Sequence, residues 1–258
     1  PVGDSFTGET GAAVGAGLAK PVDLAVDGAG IIYLADTGNR RIRRIEGNTL
    51  RTLAGRWDVT TDGPAARAEF TGPAHFRFTT NGDLVFSDAG NRTIRRLAGG
   101  NVTTLAGLTP DKIPSNNAVS STGDGGPATE AGFTALQAMA VDGAGRIWIL
   151  DNGRLRRVAD GTITSLSNTP LASDITGPFV IDNPRNRLFA VSTRGKVLVA
   201  DLTAGVPVFR DFAGNGSGTF SGDGGPALAA GFAVIRDITV DAAGTVWVAD
   251  LFRLRRIS

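Results

Sequence analysis

His75 is the only histidine in 258 residues, and the chain has no cysteine. Chemistry that needs several imidazoles, a thiolate nucleophile, a thiolate metal site or a disulfide is therefore excluded. Any reaction built on His75 has to recruit carboxylates. When the recurring segments of the chain are aligned, Asp23, His75 and Asp237 fall on one equivalent position, with Ala138 and Pro178 in the remaining two segments. Two carboxylates and an imidazole form a donor set for a divalent cation, Ca²⁺ or Zn²⁺, able to polarise a carbonyl or activate water. The plainer expectation is that each side chain satisfies the backbone of its own loop, with no cofactor required. No Gly-x-Ser-x-Gly signature is present, and no serine stands out as a partner for His75.

Two further groups of residues invite a binding role. Trp57, followed by Asp58, Thr60, Thr61 and Asp62, offers an aromatic plate with flanking carboxylates, a platform for a sugar or peptide. The competing expectation is that Trp57 packs beneath its own loop. Paired arginines recur as Arg43–Arg44, Arg95–Arg96, Arg156–Arg157 and Arg255–Arg256. Clustered arginine is one signature of RNA binding. Against it, 26 basic residues meet 25 acidic ones for a net charge of +1, and the pairs are spread over four of the five repeats. Solvated or ion-paired outer strands are the expectation, and nucleic acid is the weakest of the partners considered.

These residues sit on a repeat. Units such as PVDLAVDGAGIIYLADTGNRRIRRI (residues 21–45) and PAHFRFTTNGDLVFSDAGNRTIRRL (73–97) recur five times, about residues 20–55, 73–107, 136–166, 177–214 and 235–258. Within a unit, short Val/Ile/Leu/aromatic runs alternate with Gly, Asn and Asp turns, the pattern of antiparallel hairpins. No segment has the length and 3.6-residue period of a long helix. The expected fold is all-β: a β-propeller of four-stranded antiparallel blades, five in number, in a single domain spanning 1–258, with six blades or an incomplete ring as alternatives. Trp148 and Trp247 belong to the core. Asp36, Asp88, Asp151 and Asp250 end the second strand of four units and read as turn-capping residues.

A glycine-rich phrase links the units: TGDGGPATEAGF at 122–133, SGDGGPALAAGF at 221–232, a shorter TDGPAARAEF at 61–70, and FTGETGAAVGAGL at 6–18. A phosphate loop would need a following helix and a lysine, and neither is present. The phrase reads instead as the crossing from the outermost strand of one blade to the innermost strand of the next, its final Phe or Leu plugging the gap. Crossings and second hairpins share one end of the blades, so the long loops gather on one face, where function is expected. The fifth unit lacks a fourth strand, and such an open edge invites self-association.

The repeat with its GDGGPA linkers resembles the NHL-repeat family, in the form found in bacterial extracytoplasmic proteins, over nearly the whole chain. The resemblance implies a secreted, periplasmic or cell-surface protein, and a six-bladed ring is that family's usual count. Related lactonases and amidating lyases carry a metal near the Asp23, His75 and Asp237 position, with ligand sets fuller than this one. The leading functional expectation is a non-catalytic binding or assembly module presenting its loop face to a protein, peptide or glycan. The alternative is a metal-assisted lactonase, hydrolase or lyase at the channel mouth. RNA binding is third. No stretch is long and apolar enough to span a membrane.

Overall fold

A computed structural model describes residues 9–55, 62–109, 112, 120–166, 174–203 and 205–258. Its strands form five antiparallel sheets, each a meander in chain order. The first holds β2 (Asp23–Val26), β3 (Ile32–Asp36), β4 (Arg41–Glu46) and β5 (Thr49–Ala54), with β1 (Thr10–Ala12) added beside β5. The second holds β7 (Pro73–Phe78), β8 (Leu84–Asp88), β9 (Thr93–Ala98) and β10 (Asn101–Ala106), with β6 (Gly63–Pro64) beside β10. The third comprises β11 (Leu136–Val141), β12 (Ile147–Asp151), β13 (Arg154–Ala159) and β14 (Thr162–Ser165). The fourth comprises β15 (Ile175–Asp182), β16 (Arg187–Ser192), β17 (Val197–Asp201) and β18 (Phe209–Ala213), and the fifth only β19 (Ile235–Val240), β20 (Val246–Asp250) and β21 (Arg253–Ile257). No α-helix occurs among the described residues; the short helical pieces are single 3-10 turns, such as Ala65–Arg67 and Ala128–Glu130.

Two compact units divide the chain, one of residues 1–135 with 160–163, the other of residues 136–159 with 164–258. In the first, Phe70, Phe76 and Phe86 are buried in one apolar cluster with Ala35, Ile42 and Val102. In the second, Trp148, Leu155 and Phe179 share one cluster, and Phe189, Phe232 and Val248 share another. Phe70 and Phe232 end glycine-rich phrases, so the plugging role expected of that terminal aromatic is what these clusters show.

The turns between first and second strands are built by one residue. Asp142 accepts the Ala144 and Arg146 N–H groups (3.0 and 2.9 Å), while its other oxygen accepts the Trp148 indole N–H at 2.8 Å. Asp241 repeats this with Thr245 and the Trp247 indole, and Asp27 with Ile31 and the Tyr33 hydroxyl. These bonds hold the Asp241 and Asp27 carboxyls below the ordinary carboxylate range, the Trp247 indole leading at Asp241 and the Ile31 N–H at Asp27. Trp148 is fully buried and Trp247 half-buried.

The crossings are clasped from two sides. Gly55, Gly107 and Gly214, each just past a fourth strand, donate their N–H to Ala65, Ala128 and Ala227 of the phrase that follows. These glycines have φ of +97°, +99° and +100°, and at Gly55 and Gly107 a Cβ would strike the carbonyl oxygens of Arg40 and Arg92. Both conditions reserve the position for glycine. On its other side each early phrase lies along the fourth strand of the next blade: Thr10 opposite Arg51, Gly63 opposite Val102, Pro127 opposite Thr162. The phrase is thus a crossing, as expected, and also a fifth outer strand.

Candidate functional site

The acidic residues that end each second strand do more than cap turns. Asp36, Asp88, Asp151 and Asp250 are all fully buried. One Asp88 oxygen accepts the N–H groups of Thr71 and Gly72 (3.0 and 2.7 Å) at the end of the crossing, while the other accepts the Asn91 amide at 2.7 Å. Asp36 does the same with Ala19 and Asn39, and Asp250 with Ala233 and Val234. The second hairpin turn also bonds directly to the crossing, through Gly38 to Ala19, Ala89 to Gly72 and Leu251 to Val234. Crossing and second hairpin therefore share one end of each of these blades, and a buried carboxylate fixes both.

One arginine of each recurrent pair completes this assembly: the ion pairing expected of these strands is present, but the guanidinium groups are enclosed and not solvated. Arg43, Arg95, Arg156 and Arg255 are buried. Arg156 lies 3.2 Å from Asp151, Arg43 3.4 Å from Asp36 and Arg255 3.5 Å from Asp250. Arg255 also donates to the carbonyls of Gly231 and Ser221, and Arg95 to that of Glu69, so the guanidinium ties the crossing to the third strand. Burial pushes the Asp88 carboxyl up, against the pull of its N–H donors and Arg95; burial likewise lowers the Arg95 and Arg43 pKa values. These guanidinium groups are enclosed and engaged, and so offer nothing to a phosphate backbone.

Asp23 and His75, two of the three candidate cation ligands, meet at strand β7. Strand β7 carries a bulge between Ala74 and Arg77, and His75 there adopts φ +52°, a left-handed backbone rarely taken by a non-glycine residue. Asp23 accepts the N–H of Phe76, the next residue, at 2.6 Å, and that of Leu24 at 2.8 Å. His75 Nδ1 lies 2.8 Å from the hydroxyl of the fully buried Ser87, which itself donates to the Ala74 carbonyl at 3.1 Å. Asp237, in the second unit, accepts the Ile238 N–H at 2.9 Å within its own strand. Among the described residues no three His, Asp or Glu side chains are grouped to hold a metal. The Ser87 partner was invisible in the sequence because only the β7–β8 register brings it beside His75.

Trp57 and Asp58 lie outside the described residues. Asp62, the third member of that group, accepts from Arg95 Nη2 at 3.2 Å and from the Thr104 hydroxyl at 2.8 Å. Its counterpart Asp223 pairs with Arg255 at 2.6 Å. The phrase carboxylate thus acts as an outer clamp on the buried arginine.

No protein-family model and no curated protein sequence matches the chain. Solved structures do. A protein of unknown function from Bacteroides thetaiotaomicron aligns with 99% of this chain and 59% of its own, at TM-score 0.68 and 15% identity. The fold is a β-propeller. A gluconolactonase from Xanthomonas campestris aligns with 93% of the chain and 73% of its own (TM-score 0.63, 14% identity). An auxiliary nutrient binding protein, also from B. thetaiotaomicron, aligns with 93% and 55% (TM-score 0.62, 13% identity). At these identities the likeness speaks for the propeller fold alone, and such propellers host both enzymes and binders. The chain spans less than two thirds of the length of the first of these relatives. Among the described residues no helix is long and apolar enough to cross a membrane.

Proposed function

We propose that this propeller is a binding or assembly module of NHL type, working outside the cytoplasm, whose loop-bearing blade ends receive a protein, peptide or glycan. The observation that carries this reading is the buried Asp–Arg clasp. Asp36 and Asp250, each with its arginine, and Asp88 hold the crossing and the second hairpin in one geometry. A surface whose loops are fixed in advance loses little entropy on binding, which favours recognition. Trp57 and Asp58 form the contact platform in this reading, with Asp62 as their neighbour in sequence. The test is a glycan and peptide array, followed by calorimetry on the hits with a Trp57→Ala/Asp58→Ala variant. Saturable binding that weakens at least tenfold in the variant, with an unchanged melting temperature, is expected. Binding indifferent to both substitutions would refute the platform.

A second reading, a hydrolase or lyase centred on Asp23 and His75, draws on one specific feature. His75 is held in a rarely populated backbone conformation, with its Nδ1 2.8 Å from the hydroxyl of Ser87. Strained backbone and an oriented imidazole are the marks of a general base or a ligand. Lactone turnover by the wild type that His75→Gln abolishes would establish this reading in place of the first. Stabilisation by Ca²⁺ or Zn²⁺ that is lost in Asp23→Asn would add the cation.

A further inference from the structure

Neighbouring blades meet face to face, and one position on the second strand decides how the cleft between them is filled. In the third blade it is Trp148, paired across its sheet with Ala140 and Arg157. Trp148 is fully buried in one apolar cluster with Ile181, Leu188 and Ala200 of the fourth blade, and the Arg157 guanidinium stands 5.7 Å over its ring. In the fourth blade the position is Phe189, also fully buried. The first blade has Tyr33 there, paired in the same register with Ala25 and Arg44.

Tyr33 does not close its cleft. It is half-buried, and its hydroxyl turns back to Asp27 at 3.2 Å. Its ring meets Phe78 of the second blade edge-on, with centroids 5.0 Å apart. Beside that contact a groove of about 250 Å³ remains between the two blades, both of which belong to the first compact unit. Tyr33 and Arg44 stand on one wall; Phe78, Leu84 and Leu97, neighbours across β7, β8 and β9, form the other. Asp83 and the Gly99–Gly100 turn complete the lining. Glu46 holds the Arg44 guanidinium from outside at 3.0 Å.

We propose that this groove is a binding site for a small fused aromatic molecule carrying an N–H group, a ligand of the indole type. The third blade supplies the pattern, an indole held between an apolar wall and an arginine laid over its face. Arg44 has the register position of Arg157, and a guanidinium is attracted to the electron-rich face of such a ring. Phe78, Leu84 and Leu97 cover the other face. Asp83 accepts the ligand N–H, as Asp142 accepts that of Trp148, and repels a ligand bearing a carboxylate. A cavity of about 150 Å³ admits one benzene ring, so the larger space here suits two fused rings. Asp83 and the Gly99–Gly100 turn belong to the first-to-second and third-to-fourth strand turns. The groove therefore opens at the blade ends opposite the crossings and stands whether or not the loop-face reading holds.

Calorimetric titration with indole tests it, with backbone amide chemical shifts followed in parallel. One saturable site is expected, and the shift changes should centre on Asp83, Gly99 and Gly100. Tyr33→Trp, which gives the first blade the residue of the third, should abolish binding without lowering the melting temperature. Arg44→Gln should weaken binding about threefold, the loss of one cation–π contact at a partly exposed site. Uptake that does not saturate, or shift changes centred elsewhere, would overturn the proposal. So would wild-type affinity in a folded Tyr33→Trp protein, or indifference to Arg44→Gln.

Discussion

Asp88→Ala is expected to lower the stability of the protein by several kcal/mol, at about 1–3 kcal/mol for each buried donor left unsatisfied. The single change strips acceptors from the Thr71 and Gly72 N–H groups and the Asn91 amide, and removes the carboxylate whose charge acts on Arg95, leaving that guanidinium with Asp62 and the Glu69 carbonyl. The chain itself supplies the control. In the fourth blade the place of the aspartate is held by Ser192 and that of the arginine by Leu198, both buried. A buried pair exchanged as a unit for a well-packed apolar arrangement costs far less than one broken in half. Asp88→Ser combined with Arg95→Leu should therefore recover much of the stability lost by Asp88→Ala. Equilibrium denaturation in urea measures both, and equal losses in single and double variants would show that the pair is not the organising element.

Phe70→Ala should cost a comparable amount, about 3–5 kcal/mol, the range for truncating a buried phenylalanine. Phe70 ends a glycine-rich phrase, is 1% exposed, and meets Phe86 edge-to-face with ring centroids 5.3 Å apart. The Arg95 guanidinium stands over its other side at 5.5 Å. Its loss would open a cavity and loosen the same arginine that Asp88 holds. Leu228, in the fourth phrase, is the contrast: it is exposed, and its truncation should change stability by no more than about 0.5 kcal/mol. Similar effects for the two would mean that the phrases are not fastened by their terminal aromatics.

The repeat, the turns and the crossings were legible because they depend on local chemistry. Asp142 bonds N–H groups two and four residues ahead, and Gly107 occupies a backbone region closed to other residues; both leave marks in the sequence. The buried arginines left a different mark. In RIRR a surface strand would alternate, yet Ile42 and Arg43 are both enclosed. Recurrence of Asp36, Asp88, Asp151 and Asp250 with an arginine at a fixed distance behind them was the available signal, and it reads as surface charge unless burial of both faces is assumed. The His75–Ser87 contact was out of reach, since it arises from a bulge and a strand register instead of a spacing. The added strands β1 and β6 were also missed, being too short to show a period of two.

Backbone amide hydrogen exchange, read residue by residue, tests most directly the claim that the glycine-rich phrases are clasped between successive blades. Ala65 and Ala128 donate to Gly100 and Gly161 of the following blade at 2.8 and 2.7 Å, so their amides should exchange slowly, at rates close to those of the strands beside them. Rapid exchange at Ala65 and Ala128, as in an ordinary surface loop, would contradict the account.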